Sequence, residues 1–125
     1  MMRALVTIAL MLTAVSTADA ACMKPDQLER AEGRLTVGAF KDAADRPETA
    51  FILRLPTAAC LDAEDGMDPV DATRTIHVYA ADGAMQASLR RLVGRVVEVR
   101  GKPFSAHTAH HHAPIVMEVS EVRPR

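Results

Sequence analysis

The sequence predicts a mainly β fold, a small five-stranded OB-like barrel with one helix between strands three and four, and three observations carry this reading. Apolar residues alternate in five separate stretches of the chain. Between the third and fourth of these, Met85, Leu89, Leu92 and Val93 recur at helical spacing instead. A glycine, Gly33, interrupts the first stretch, where a strand that coils around a closed barrel needs a device for bending. The order strand, strand, strand, helix, strand, strand is that of the five-stranded Greek-key barrel. A small α+β sheet with one covering helix shares it.

Residues 1–20 stand apart from the fold and read as a secretory signal. Arg3 supplies a positive start, residues 4–15 are apolar but too short to span a bilayer, and Ala18-Asp19-Ala20 is a small-residue cleavage site ending at Ala20. Residues 21–125 then form a single domain, expected in the periplasm or outside the cell, with no second apolar segment long enough to cross a membrane. Cys22 lies close to the cut, but Asp19 occupies the position where a lipoprotein signal carries an aliphatic residue, so a soluble product is expected.

In the first strand, Ala31, Leu35 and Val37 share one parity, with Gly33 as a bend or bulge between them. Residues 38–48, small and charged and holding Arg46-Pro47, read as a loop. Phe51, Leu53 and Leu55 then alternate against Ile52 and Arg54, giving a second strand that ends at Pro56. Residues 58–74 hold five aspartates and glutamates without a sustained period and read as an acidic loop. It lacks the spacing of a calcium loop.

Thr75 to Tyr79 is a β-rich run with Ile76 and Val78 on one face and Thr75, His77 and Tyr79 on the other. Asp82 is placed to cap a helix of about three turns that stops before Gly94, with Arg90 and Arg91 suiting the negative end of its dipole. Residues 95–100 resume alternation through Val97 and Val99, Gly101 marks a bulge, and Ile115, Met117 and Val119 carry the last strand.

Cys22 and Cys60 are the only cysteines, and an oxidising compartment favours a disulfide between them. The long loop so closed is worth about 3 to 4 kcal/mol in the chain-entropy picture. A formal net charge of -1, with no tryptophan and one tyrosine, argues against a nucleic-acid surface, which needs a basic stripe and stacking aromatics. The core must be mostly aliphatic.

Four of the five histidines fall between His107 and His112. Imidazole titrates near neutrality and is the commonest metal ligand, so this hairpin is the candidate functional segment. In an extended strand His110 and His112 project to one side and His111 to the other, and a bend at Thr108-Ala109 would return His107 to the first side. His107, His110 and His112, with His111 as a substitute, are thus candidate ligands for zinc or copper. The alternative is structural: rings bonded to backbone and to Thr108, their faces covering the open end of an aromatic-poor core. No catalytic motif accompanies them, and no enzyme activity is expected.

The same hairpin carries a family resemblance. Gly94-Arg-Val-Val-Glu-Val-Arg-Gly101, Phe104 and His107-Thr-Ala-His-His-His-Ala-Pro114, with Pro47 to Leu53 and Cys60, resemble a family of secreted bacterial proteins known only as a domain of unknown function. Its members share the pattern F-H-A-H-T-x-H-H-H-T-P-V. Ser105 stands where the family often has His, and Ala113 where it often has Thr. The resemblance implies an exported β-barrel and no particular chemistry.

Two functions follow as expectations. One is an exported, non-enzymatic module that binds a protein or small-molecule partner on its barrel face, with the histidine hairpin as a rigid rim. The other is a periplasmic zinc- or copper-binding protein. Both require export, so intact-mass analysis of the secreted protein under non-reducing conditions is expected to give a chain beginning at Ala21 with both thiols oxidised; a retained leader or two free thiols would contradict this reading.

Overall fold

A computed structural model describes residues 9, 11 and 21–125, so the expected leader and its cleavage site at Ala20 lie almost wholly outside the described residues. Five strands, β1 (Glu29–Lys41), β2 (Pro47–Leu61), β3 (Val70–Tyr79), β4 (Val96–Ser105) and β5 (Ile115–Pro124), and one helix, α1 (Gly83–Leu92), follow the predicted order. The strands close into a barrel in the order β1-β2-β3-β5-β4. All neighbours are antiparallel except β3 and β5, which run parallel. This is the Greek-key connection that the chain order implies. No helix among the described residues is long and apolar enough to cross a membrane.

Closure depends on β1 serving two partners. From Glu29 to Arg34 it pairs with β4, and from Arg34 to Lys41 with β2. Gly33 lies beside this hand-over, where a Cβ would stand 2.2 Å from the carbonyl oxygen of Arg54. Only a residue without a side chain lets the backbones approach so closely. The registers on both sides run through Gly33 without a shift, so no bulge stands there, and the glycine serves this close approach. At Gly101 the expected bulge is present, between Arg100 and Gly101 on the β4–β5 ladder.

Several loops are shorter than the sequence suggests. Gly38 to Lys41 continue β1 and pair with Ala50 to Pro47, so the expected loop over 38–48 contracts to a turn over 42–46. Asp42 makes that turn: its carboxylate accepts from the backbone N–H groups of Ala44 and Arg46, both at 2.9 Å, and Asp45 takes the left-handed conformation. Strand β2 does not stop at Pro56 but runs on to Leu61, with the β2–β3 register broken between Arg54 and Ala59 where a proline cannot serve the ladder. The acidic loop contracts accordingly to 62–69.

Inside the barrel, Leu35, Leu53, Ile76, Val78, Val97, Val99, Ile115 and Met117 are fully buried. Helix α1 adds Leu89, with Met85 and Leu92 packed against the same core. Asp82 caps the helix as expected, its carboxylate accepting from Met85 N–H at 2.8 Å. Val37, assigned to the inward face, is instead 49% exposed, because β1 has by then passed the edge of the core. A disulfide joins Cys22 to Cys60 and the Met23–Leu61 bridge continues it, which ties the segment before β1 to the end of β2. The sulfur of Cys22 is thereby committed.

Ile52, expected to face outward, is 4% exposed. It belongs to a second apolar cluster with Ala50, Ala113 and Phe40, separate from the core and on the outer wall of the barrel. The β4–β5 loop covers it. Gly33→Ala is expected to destabilise the protein by about 2 to 3 kcal/mol in urea unfolding, as overpacking against rigid backbone does. Gly83→Ala, with nothing within 4 Å of the added carbon, should be neutral or slightly stabilising.

Candidate functional site

The β4–β5 loop, residues 106–114, folds back over the outer wall. Registered across the strands beneath it lie Ile52, His77, Val116 and Phe104, successive partners on β2, β3, β5 and β4. Residues in such a row face the same side of a sheet. Because Leu53, Ile76 and Val78 fill the interior, this row faces out, and Val116 and His77 are buried only because the loop covers them.

The rings of four of the five histidines, His77, His107, His111 and His112, meet in this layer. His112 stacks flat on Phe40, ring centroids 4.2 Å apart and planes within 6°, and lies 5.7 Å from His77. His77 in turn meets Tyr79 and His111 edge-on, each at 6.4 Å. Phe104 packs on His111 and His107, which are themselves 4.7 Å apart. In a chain without tryptophan, imidazoles thus do the work of an aromatic layer.

Glu48, at the start of β2, joins this layer to the scaffold. Its carboxylate accepts a hydrogen bond from His110 Nδ1–H at 2.8 Å and another, on its other oxygen, from His112 Nε2–H. These bonds, His112 first and His110 second, hold the Glu48 carboxyl below its usual pKa. The short turn over 42–46 is what delivers Glu48 to the loop, which links the β1–β2 and β4–β5 connections directly.

Backbone groups set the remaining rings. His112 N–H donates to His77 Nδ1 at 3.2 Å, so the proton of neutral His77 sits on Nε2. His111 Nδ1 accepts from His107 N–H at 3.0 Å and from Thr108 N–H at 3.2 Å, and His111 N–H closes a turn on the Thr108 carbonyl. His107 Nδ1–H in turn donates to the Ser105 carbonyl at 3.1 Å. Burial holds both His77 and His111 below imidazole's ordinary pKa, and neighbouring imidazoles add to the shift.

Residues 106–114 form a turn and coil instead of the extended strand assumed, and in them His110 and His112 both reach Glu48 while His111 packs with His107. The bend at Thr108-Ala109 returns His107 to the side of His111, not to that of His110 and His112. The four candidate ligands His107, His110, His111 and His112 form two hydrogen-bonded pairs instead of one convergent set. Among the described residues, no group of three or more His, Cys, Asp or Glu side chains has a geometry that could hold a metal ion. The rings cover the outer wall of the barrel, where the sequence suggested its open end.

Glu48 is the site residue that sequence reading missed. It stands in the stretch taken as loop, more than sixty positions from its partners. Phe40, in the same stretch, was missed with it. Ser105 and Ala113 are both buried, and Ala113 packs with Ala50 and Ile52, so the apolar residue there serves packing.

Beside the histidine layer a groove of about 340 Å³ opens between the ends of β1, β2 and β3 and helix α1. Val37, Phe51 and Val78 belong to one registered row across these strands and line it. The groove also runs past His77 and Tyr79, whose side chains turn to the other face of β3 and join the aromatic layer, and Arg90 of α1 closes the rim.

Residues 75–123 match the family described as Domain of unknown function (DUF4431), a span that includes the second half of β3, α1, β4, the histidine loop and nearly all of β5. No curated protein matches the chain.

Acid is expected to loosen the histidine layer. Below about pH 6.5, imidazole's ordinary value, the unfolded chain takes up protons that folded His77 and His111 resist, so the unfolded state binds more protons and stability falls. Further acidification protonates Glu48 and acts in the same direction, since its folded carboxyl titrates below its unfolded one. Melting followed from pH 8 to 4 checks this. Glu48→Gln should raise amide exchange across 106–114 at neutral pH by on the order of tenfold while β4 and β5 stay protected.

Proposed function

We propose that the protein is an exported, non-enzymatic binding module, in which the histidine loop braces the outer wall of the barrel and the groove at the ends of β1–β3 is the ligand seat. The observation that supports this most directly is that the groove runs along the stretch of β3 whose other face carries His77 and Tyr79 in the hydrogen-bonded aromatic layer. A pocket whose wall is held by packing and by backbone bonds needs little reorganisation to receive a ligand. Its volume falls at the lower end of the range for small-molecule sites. Barrels of this architecture host many unrelated ligands, so the class of binder rests on analogy and the seat on this chain's own geometry.

The disulfide supports export, since such bonds persist in oxidising compartments. The leader at residues 1–20 supports it independently. Zinc or copper binding has weaker support. Glu48, His110 and His112 do approach one another, but through protons that a metal would have to displace. The two pairings also leave the four loop histidines without a common centre.

A fragment screen read by amide chemical shifts tests the reading. At least one fragment class is expected to perturb Phe51, Val78 and Tyr79 saturably, and calorimetry with Zn²⁺ or Cu²⁺ is expected to show no stoichiometric uptake. If no fragment moves the groove, the seat is misassigned; stoichiometric metal uptake lost on replacing His107, His110 and His112 by alanine would favour the metal-binding reading.

A further inference from the structure

The groove carries a statement about its ligand, and this rests on the reading of the groove as the seat. Its floor is apolar: Val37 and Phe51 stand side by side on β1 and β2, with buried Val78 next in the same row. Its polar side chains are Thr49, Gln86 and Arg90, and no carboxylate lines it. Gln86 and Arg90 lie one turn apart on α1, both exposed, and share one face of the helix.

Arg90 enters no ion pair among the described residues. The acids nearest this region are engaged elsewhere. Glu118 accepts from the Tyr79 hydroxyl at 3.4 Å, Glu48 is held by His110 and His112, and Asp82 caps the helix. Arg91, equally near the helix end and able to serve its dipole, turns to Ser88 Oγ at 3.1 Å. The groove therefore offers one unpaired guanidinium above a small hydrophobic floor.

We propose that the groove binds a small organic monoanion, its carboxylate on Arg90 and Gln86 and its hydrocarbon or aromatic body over Val37 and Phe51. A guanidinium matches a carboxylate through two parallel N–H···O bonds, and the amide of Gln86 supplies a further donor. A single cation suits one negative charge and leaves a polyphosphate or nucleic-acid backbone uncompensated. The apolar floor supplies affinity through burial, and the ion pair selects among ligands of similar body.

The test uses the disulfide-bonded protein, labelled with ¹⁵N, and three probes of matched shape: benzoate, benzamide and benzylamine. Benzoate is expected to shift the amides of Val37, Phe51, Val78, Gln86 and Arg90 saturably, with benzamide at least about tenfold weaker and benzylamine silent, as loss of a charged hydrogen bond implies. Arg90→Gln should weaken benzoate by a similar factor without altering the thermal melt, and Arg91→Gln should leave binding intact. If benzamide or benzylamine binds the groove as well as benzoate does, the anion assignment fails and the seat stands. If benzoate binds away from the groove, or Arg90→Gln leaves its affinity unchanged, the assignment also fails. If neither the probes nor any fragment of the broader screen perturbs the groove, the seat and the ligand class fall together.

Discussion

The bond from His112 to Glu48 is the contact on which the arrangement of the outer wall depends. It fixes a ring that lies flat on Phe40, covers Ile52, and offers its backbone N–H to His77. Without it, only the exposed His110 would tie the loop over 106–114 to Glu48 of β2, and the apolar strip beneath would lose its cover. A barrel of this size has little interior to spend on stability, so a second layer outside the wall adds buried surface that the core cannot supply. Imidazole suits this task because one ring packs by its face and hydrogen-bonds at its edge.

That dual use explains why a histidine-rich run need not signal a metal. Each ring has one nitrogen engaged by a backbone group or by Glu48, and the pairing that results divides the loop into two halves: His110 and His112 toward β2, His107 and His111 toward Phe104. Burial of His77 and His111 keeps those rings neutral at physiological pH and allows Nδ1 to accept. The same neutrality makes the layer sensitive to acid. Stacking and protonation state are thus parts of one device.

Much of the fold was legible in the residues. The alternation around Leu53, Ile76 and Val97, the cap at Asp82 and the glycines at positions 33 and 101 all reflect local rules that the structure obeys. Where the reading failed, longer-range contacts outweighed local signals. Gly38 to Lys41 are weak strand formers by composition, yet the Asp42 turn carries them onto β2. Ile52 looked outward by parity and was, but a loop more than fifty residues away covers it. Glu48 carried no signal at all, because a lone glutamate near a proline reads as ordinary surface until its distant partners are placed.

The disulfide and the histidine layer lie toward opposite ends of the same strand. Glu48 begins β2 and Cys60 nearly ends it, a contour of about 40 Å at the usual rise per residue. The staple holds the start of the domain at one pole, and the wall and groove occupy the other. A chain immobilised through its N-terminus would therefore present its histidine face outward, and reductive cutting of the bridge would leave the anchored end held by the backbone bonds of Met23 to Cys60 and Asp62 alone, without touching the opposite pole.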